Sequence, residues 1–129
     1  MADSENAAEW LTFAEMDLSS AEFLLNHRPL PKEIICFHCQ QAAEKALKGQ
    51  LLYRKIRPPK IHDLLELSRL NAQQGVAMDA LVPVCGILNK YSTQPRYPQE
   101  LVIEQEDVTE AIRSAKTVVS FVKDLLNEH

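Results

Sequence analysis

Apolar residues recur along most of this chain at alternating intervals of three and four, the repeat of amphipathic helices rather than of strands. Leu11, Leu18 and Leu25 stand seven apart with Ala14 and Ala21 between them, which predicts a first helix from about Asn6 to Asn26, capped by Ser4 or Asn6. Pro29 and Pro31 belong to the following loop, and Pro31 suits the first turn of a second helix from about Lys32 to Lys55. That helix contains no proline and one glycine, Gly49, and Ala42, Ala43 and Ala46 leave so little bulk that a neighbouring helix, in this chain or in a second copy, can approach closely. Pro58-Pro59 then forces an extended break.

A third helix is expected from near His62, where Asp63 and Glu66 stand three apart as in a carboxylate cap with a reciprocal glutamate. Gln73-Gln74-Gly75 ends it. A fourth helix covers roughly Asp79 to Tyr91, with Leu81, Val84, Cys85 and Leu88 on one face; Pro83 must then fall in its first turn, or the helix starts later. Ser92 to Gln105 reads as an irregular link in which Leu101-Val102-Ile103 could be briefly extended. A fifth helix from about Asp107 to Asn127 buries Val108, Ile112, Ala115, Val119, Val122 and Leu126. The pattern predicts an all-α fold, an antiparallel up-and-down bundle of four main helices plus a shorter one, with residues 1–129 as a single domain.

Composition narrows the function classes. Three glycines in 129 residues favour long helices over turn-rich sheets, and a formal net charge of −4 argues against a uniformly basic nucleic-acid binder. A local basic patch survives that argument: Arg54, Lys55, Arg57 and Lys60 surround Pro58-Pro59, either as a solvated loop or as a docking patch. No apolar run approaches the ~20 residues of a membrane span, and the polar, acidic start from Met1 to Glu9 does not read as a signal sequence. The expectation is a cytoplasmic protein that does not enter a membrane.

The chemistry concentrates in the second helix. His38, Gln41, Lys45 and Lys48 fall on one side of it, beside the alanines. Imidazole and amide groups both donate and accept and lysine adds a point charge, so His38, Gln41 and Lys45 could hold a phosphate or a base edge; equally, they could satisfy groups at a helix crossing or pair across a dimer. His62 either points into the same pocket or helps to cap the third helix. Arg96 could clamp a phosphate and Tyr97 stack on a base, or Arg96 could fasten its loop to a carboxylate such as Asp17 or Glu44. Cys36-x-x-Cys39 lacks the second pair that a zinc site wants and the strand that a redox motif follows, so these thiols, like Cys85, read as small buried packing residues. No metal site, cofactor motif or catalytic residue is read from the bare sequence.

Four blocks in order, Ala14-Glu15-Met16-Asp17-Leu18, Cys36 through Lys48, His62-Asp63-Leu64 and Arg96-Tyr97-Pro98, resemble the HEPN family (higher eukaryotes and prokaryotes nucleotide-binding domain) over nearly the whole chain. The resemblance implies a helical bundle, usually a homodimer, and a partnership with a minimal nucleotidyltransferase encoded beside it. It also implies binding of a nucleotide at a site formed by His38, Gln41, Lys45, His62, Arg96 and Tyr97. Many members of the family are toxins of toxin–antitoxin pairs that act as metal-independent RNases through an arginine, a polar residue and a histidine four to six residues on. After Arg96 no such histidine follows before His129. Arg57 and His62 fit the spacing by count, but in the loop before the third helix, which reads as coincidence. The resemblance therefore favours a non-catalytic nucleotide-binding or partner module; the alternatives are a divergent RNase, with Arg57, His62 or Arg96 handling phosphate and protons, and a purely structural dimerisation module.

Overall fold

A computed structural model describes residues 3–92 and 102–127, for residues 3–6 the backbone alone. Five helices run in the order α1 (Asp3–Leu24), α2 (Lys32–Tyr53), α3 (Leu64–Gln73), α4 (Val82–Asn89) and α5 (Gln105–Asn127). No strand occurs among the described residues, and Val102 to Glu104 run without regular structure into α5. The all-helical bundle predicted from the periodicity is the observed fold.

α1 lies antiparallel to α2, with Ala7 and Trp10 against Gly49 at one end and Asp17 against His38 and Lys45 farther along. The deepest residues of α1 are not its leucines but Ala7, Ala14 and Ala21, each wholly buried, while Leu11 and Leu18 are half-buried beside them. Leu25, expected in the buried stripe, lies past the end of α1 and is exposed. Small residues at seven-residue spacing let the two helix backbones approach until a Cβ on Gly49 would sit 2.9 Å from Trp10 Cβ and 3.3 Å from the Ala7 carbonyl oxygen. α5 also runs antiparallel to α1, linked by Lys123–Glu15 and Lys116–Glu22 ion pairs on the surface. Leu47, Leu51, Leu64, Leu67, Val118 and Val122 fill the core among the helices.

The exit from α2 positions the site. The Ile56 amide reaches back to the Leu51 carbonyl and the Lys55 amide to the Leu52 carbonyl, with Lys55 at φ 65° in the left-handed position that usually takes glycine. The chain then doubles back, so α3 runs beside α2 in the same sense: the His62 carbonyl accepts from the Gln40 amide, and farther on Asn71 Nδ2 donates to the Leu47 carbonyl. α4 returns antiparallel to α3, and Pro83 falls in its first turn as required. The helix begins at Val82 rather than near Asp79, because a proline ring is tolerated only in that first turn.

Asp63 caps α3 as expected: Oδ1 accepts from the Leu65 and Glu66 amides, and Asn89 Nδ2 adds a third donor at 3.0 Å. The reciprocal glutamate does not form; Glu66 instead pairs with Arg69. The Asn89 side chain, followed by burial acting the other way and by the two backbone amides, holds the Asp63 carboxyl below its ordinary value of 3.8. A depressed carboxyl stabilises the fold above its unfolded pKa, and that contribution disappears as the pH falls through the lower folded value. Asp63→Ala should therefore cost about 1 kcal/mol at neutral pH and progressively less on acidification below about pH 4, read by urea denaturation at a series of pH values. A cost independent of pH would show that the charge is not the source.

Candidate functional site

Two carboxylates, one on α1 and one on α2, organise the polar face of α2. Asp17 reaches across from α1 and divides its oxygens between two α2 side chains, taking His38 Nδ1 on Oδ1 at 2.8 Å and Lys45 Nζ on Oδ2 at 2.6 Å. Immediately before Lys45 on the same helix, Glu44 is almost wholly buried, with its side chain 7% exposed. Lys48 Nζ donates to it at 2.9 Å, Gln40 Nε2 at 3.2 Å and Gln41 Nε2 at 3.4 Å, and His62 Nδ1 lies 3.1 and 3.2 Å from its two oxygens. Gln41 Nε2 also donates to Gln40 Oε1, so the two amides are locked to each other.

Helix spacing explains why these groups meet. Gln41 and Lys45, and Glu44 and Lys48, are four apart and stack along the helix. His62 comes from outside the helix and is held twice, by its ring on Glu44 and by its carbonyl on Gln40. A carboxylate can only accept, so each ring presents Nδ1–H to it, which leaves Nε2 as the lone-pair nitrogen of the neutral ring. His38 is partly buried at the α1–α2 crossing, whereas the His62 side chain is 61% exposed. The result is two carboxylate–histidine pairs and two lysines on one face: Lys45, 30% exposed, keeps N–H groups beyond its bond to Asp17 that can meet an anion, the neutral rings can accept a proton at Nε2, and Lys48 is buried on Glu44.

Of the expected site residues, the structure brings His38, Gln41, Lys45 and His62 onto this face. His62 does not cap α3, a task that falls to Asp63. Arg96 and Tyr97 lie outside the described residues. Asp17 and Glu44 entered the sequence reading as members of the HEPN-like blocks and as possible anchors for Arg96, and the structure makes them the hubs of the face. The thiols are buried and stay protonated: burial, only partly opposed by a hydrogen bond from Tyr91, pushes Cys36 up to about 11, and burial raises Cys39 and Cys85 as well. Among the described residues no cluster of three or more His, Cys, Asp or Glu side chains is arranged to hold a metal ion, and no helix is long and apolar enough to cross a membrane. Arg57 and Lys60 of the basic loop are both exposed. A hollow of about 570 Å³ lies away from this face between α1 and α5; its only charged groups are Glu15, Glu22 and Lys123, so the α2 face is the better candidate on chemical grounds.

Comparison with known proteins agrees with this architecture. The family model described as HEPN domain matches residues 7–125. A relative from Methanocaldococcus jannaschii, named "Putative toxin MJ1304", is 26% identical over 130 residues, spanning 89% of this chain and 84% of its own length. Among solved structures, a Thermus thermophilus protein superposes with a TM-score of 0.78 at 29% identity, covering 96% of this chain and 98% of that one. A crystal structure described as an archaeal HEPN homologue superposes with a TM-score of 0.71 at 27% identity, covering 93% and 97%.

Proposed function

Since this chain belongs to the HEPN domain family, we propose that it is a non-catalytic module that works as a homodimer and binds a nucleotide or other phosphate-bearing ligand, or partners a minimal nucleotidyltransferase. The observation that carries the reading is the shared anchoring of His38 and Lys45 on Asp17, which holds an imidazole and an ammonium side by side at a partly open helix crossing. Gln41 and His62 extend the same face, and Arg96 and Tyr97 would complete it. A phosphate approaching the crossing competes with Asp17 for Lys45 rather than meeting an unpaired lysine, so affinity is expected to be moderate and sensitive to salt.

The test is thermal stability against a panel of nucleotides and short RNAs. A ligand that binds only the folded protein adds about 2.7 kcal/mol at 100 times its dissociation constant, a readable shift. His38→Ala with Lys45→Ala should weaken the responding ligand by roughly tenfold or more, as expected for losing one or two charged hydrogen bonds. Undiminished affinity in that double variant would remove the site from the α2 face.

A second reading draws on the Glu44–His62 pair and on the toxin name of the Methanocaldococcus jannaschii relative. A carboxylate-oriented imidazole with Nε2 in solvent is the arrangement a general base needs, and it would let a divergent RNase act without metal. In that case RNA is cut in EDTA and His62→Ala abolishes the cutting. RNA left intact by wild-type protein, with a thermal shift still present, favours the binding module.

A further inference from the structure

α1 carries a second stripe that the core does not use. Phe13, Met16 and Phe23 are 52%, 57% and 75% exposed, although large apolar side chains rarely cluster in solvent without a reason. With Glu9 and Ser20 they fall at intervals of four, three, four and three, the spacing of a helix–helix seam. The order is also palindromic. If a second α1 is laid antiparallel on the first, with a two-fold axis level with Leu18, Phe13 faces the partner's Phe23 and Met16 faces the partner's Ser20. Glu9 then comes level with the partner's His27 and Arg28, opposite in sign to the arginine.

The shapes match as well. Glu9, Trp10, Phe13 and Leu52 line a shallow hollow of about 280 Å³, apolar on three of its four walls. It sits at the end of the stripe where the antiparallel arrangement delivers the partner's Phe23, the most exposed aromatic ring of the described residues. A protruding aromatic and a matching hollow on one face, separated so that two copies satisfy each other simultaneously, is what an isologous interface requires. The stripe from Glu9 to Phe23 runs ~21 Å at 1.5 Å per residue, long enough for a coiled-coil-like contact flanked by α2.

From these observations we propose that α1 forms the seam of a symmetric homodimer, packing against α1 of a second copy with Phe13, Met16 and Phe23 at its centre. The proposal rests on the homodimer reading above and specifies its partner and geometry. It also bears on the polar face: Asp17 is one position round the helix from Met16, on the side of α2, so the two Asp17–His38–Lys45 clusters come to the same level on either side of the axis.

Light scattering and sedimentation of the full chain test it. Wild-type protein is expected to be a dimer, and Phe13→Asp with Phe23→Asp a monomer whose dissociation constant has risen at least about a hundredfold. Both residues are exposed, so circular dichroism and melting should show the monomer still folded. An equimolar mixture of Met16→Cys and Ser20→Cys proteins should form a disulfide-linked dimer on mild oxidation, well ahead of either protein alone. A dimer that survives both aspartates, or equal cross-linking in all three samples, overturns the α1 seam and leaves the homodimer standing. A wild-type monomer at every concentration overturns both.

Discussion

Glu44→Ala should lower the unfolding free energy by about 3–5 kcal/mol, as found when one partner of a buried ion pair is removed. Lys48 is the reason. Its side chain is 9% exposed and its ammonium lies 2.9 Å from Glu44 Oε2, so the alanine variant leaves a charge in a poorly solvated place. The same change strips the acceptor from the His62 ring and one of two acceptors from Gln41, which loosens the doubled-back segment over α2. For a chain of this length the loss corresponds to a fall of roughly 10–20 °C in melting temperature. Lys48→Met in the same protein should recover much of it, because removing both charges eliminates the stranded one. Urea denaturation of the two single variants and the double variant measures this directly, and a Glu44→Ala protein within about 1 kcal/mol of wild type would refute the buried-pair argument.

The second large effect concerns two glycines that should respond to alanine with opposite signs. Alanine is the better helix former by about 1 kcal/mol, so propensity alone favours both substitutions. Gly86, exposed in α4 with nothing within 4 Å of the added Cβ, should gain up to about that amount. Gly49 should lose about 1–3 kcal/mol net, because its Cβ would meet the Cβ of Trp10 at 2.9 Å and a backbone oxygen at 3.3 Å. Neither obstacle is the free end of a flexible side chain, so α1 itself must move. Thermal melts of the two variants side by side give the answer; a stabilised Gly49→Ala protein would mean that α1 yields without cost.

The sequence states the helices well because their apolar intervals are local, and each of the five lies close to where periodicity and proline chemistry put it. It also shows that His38, Gln41 and Lys45 share a face, since four-residue spacing decides that within one helix. What it could not show is which charges cross between elements. Asp17 reads as one more acid on α1 until α1 is laid antiparallel on α2, and only then does it fall between His38 and Lys45. Glu44 reads as a carboxylate that could anchor Arg96; it is buried because the segment after Pro58-Pro59 folds back over it, and no local spacing encodes that return. Gln40 and Asn71 are buried for the same kind of reason, each holding a carbonyl of another segment.

The alanine surface of α1 has one more consequence. Ala7, Ala14 and Ala21 are interchangeable to the helix they touch, so apolar contact alone hardly distinguishes the native alignment from one in which α1 has slipped by seven residues, ~10.5 Å along its axis. The non-repeating features settle the register. Trp10 fits only against the notch at Gly49, and Asp17 meets a histidine and a lysine in only one alignment. The polar crossing thus acts as an index mark on an otherwise sliding scale, which gives Asp17, His38 and Lys45 a reason to be retained in this chain even before any ligand arrives.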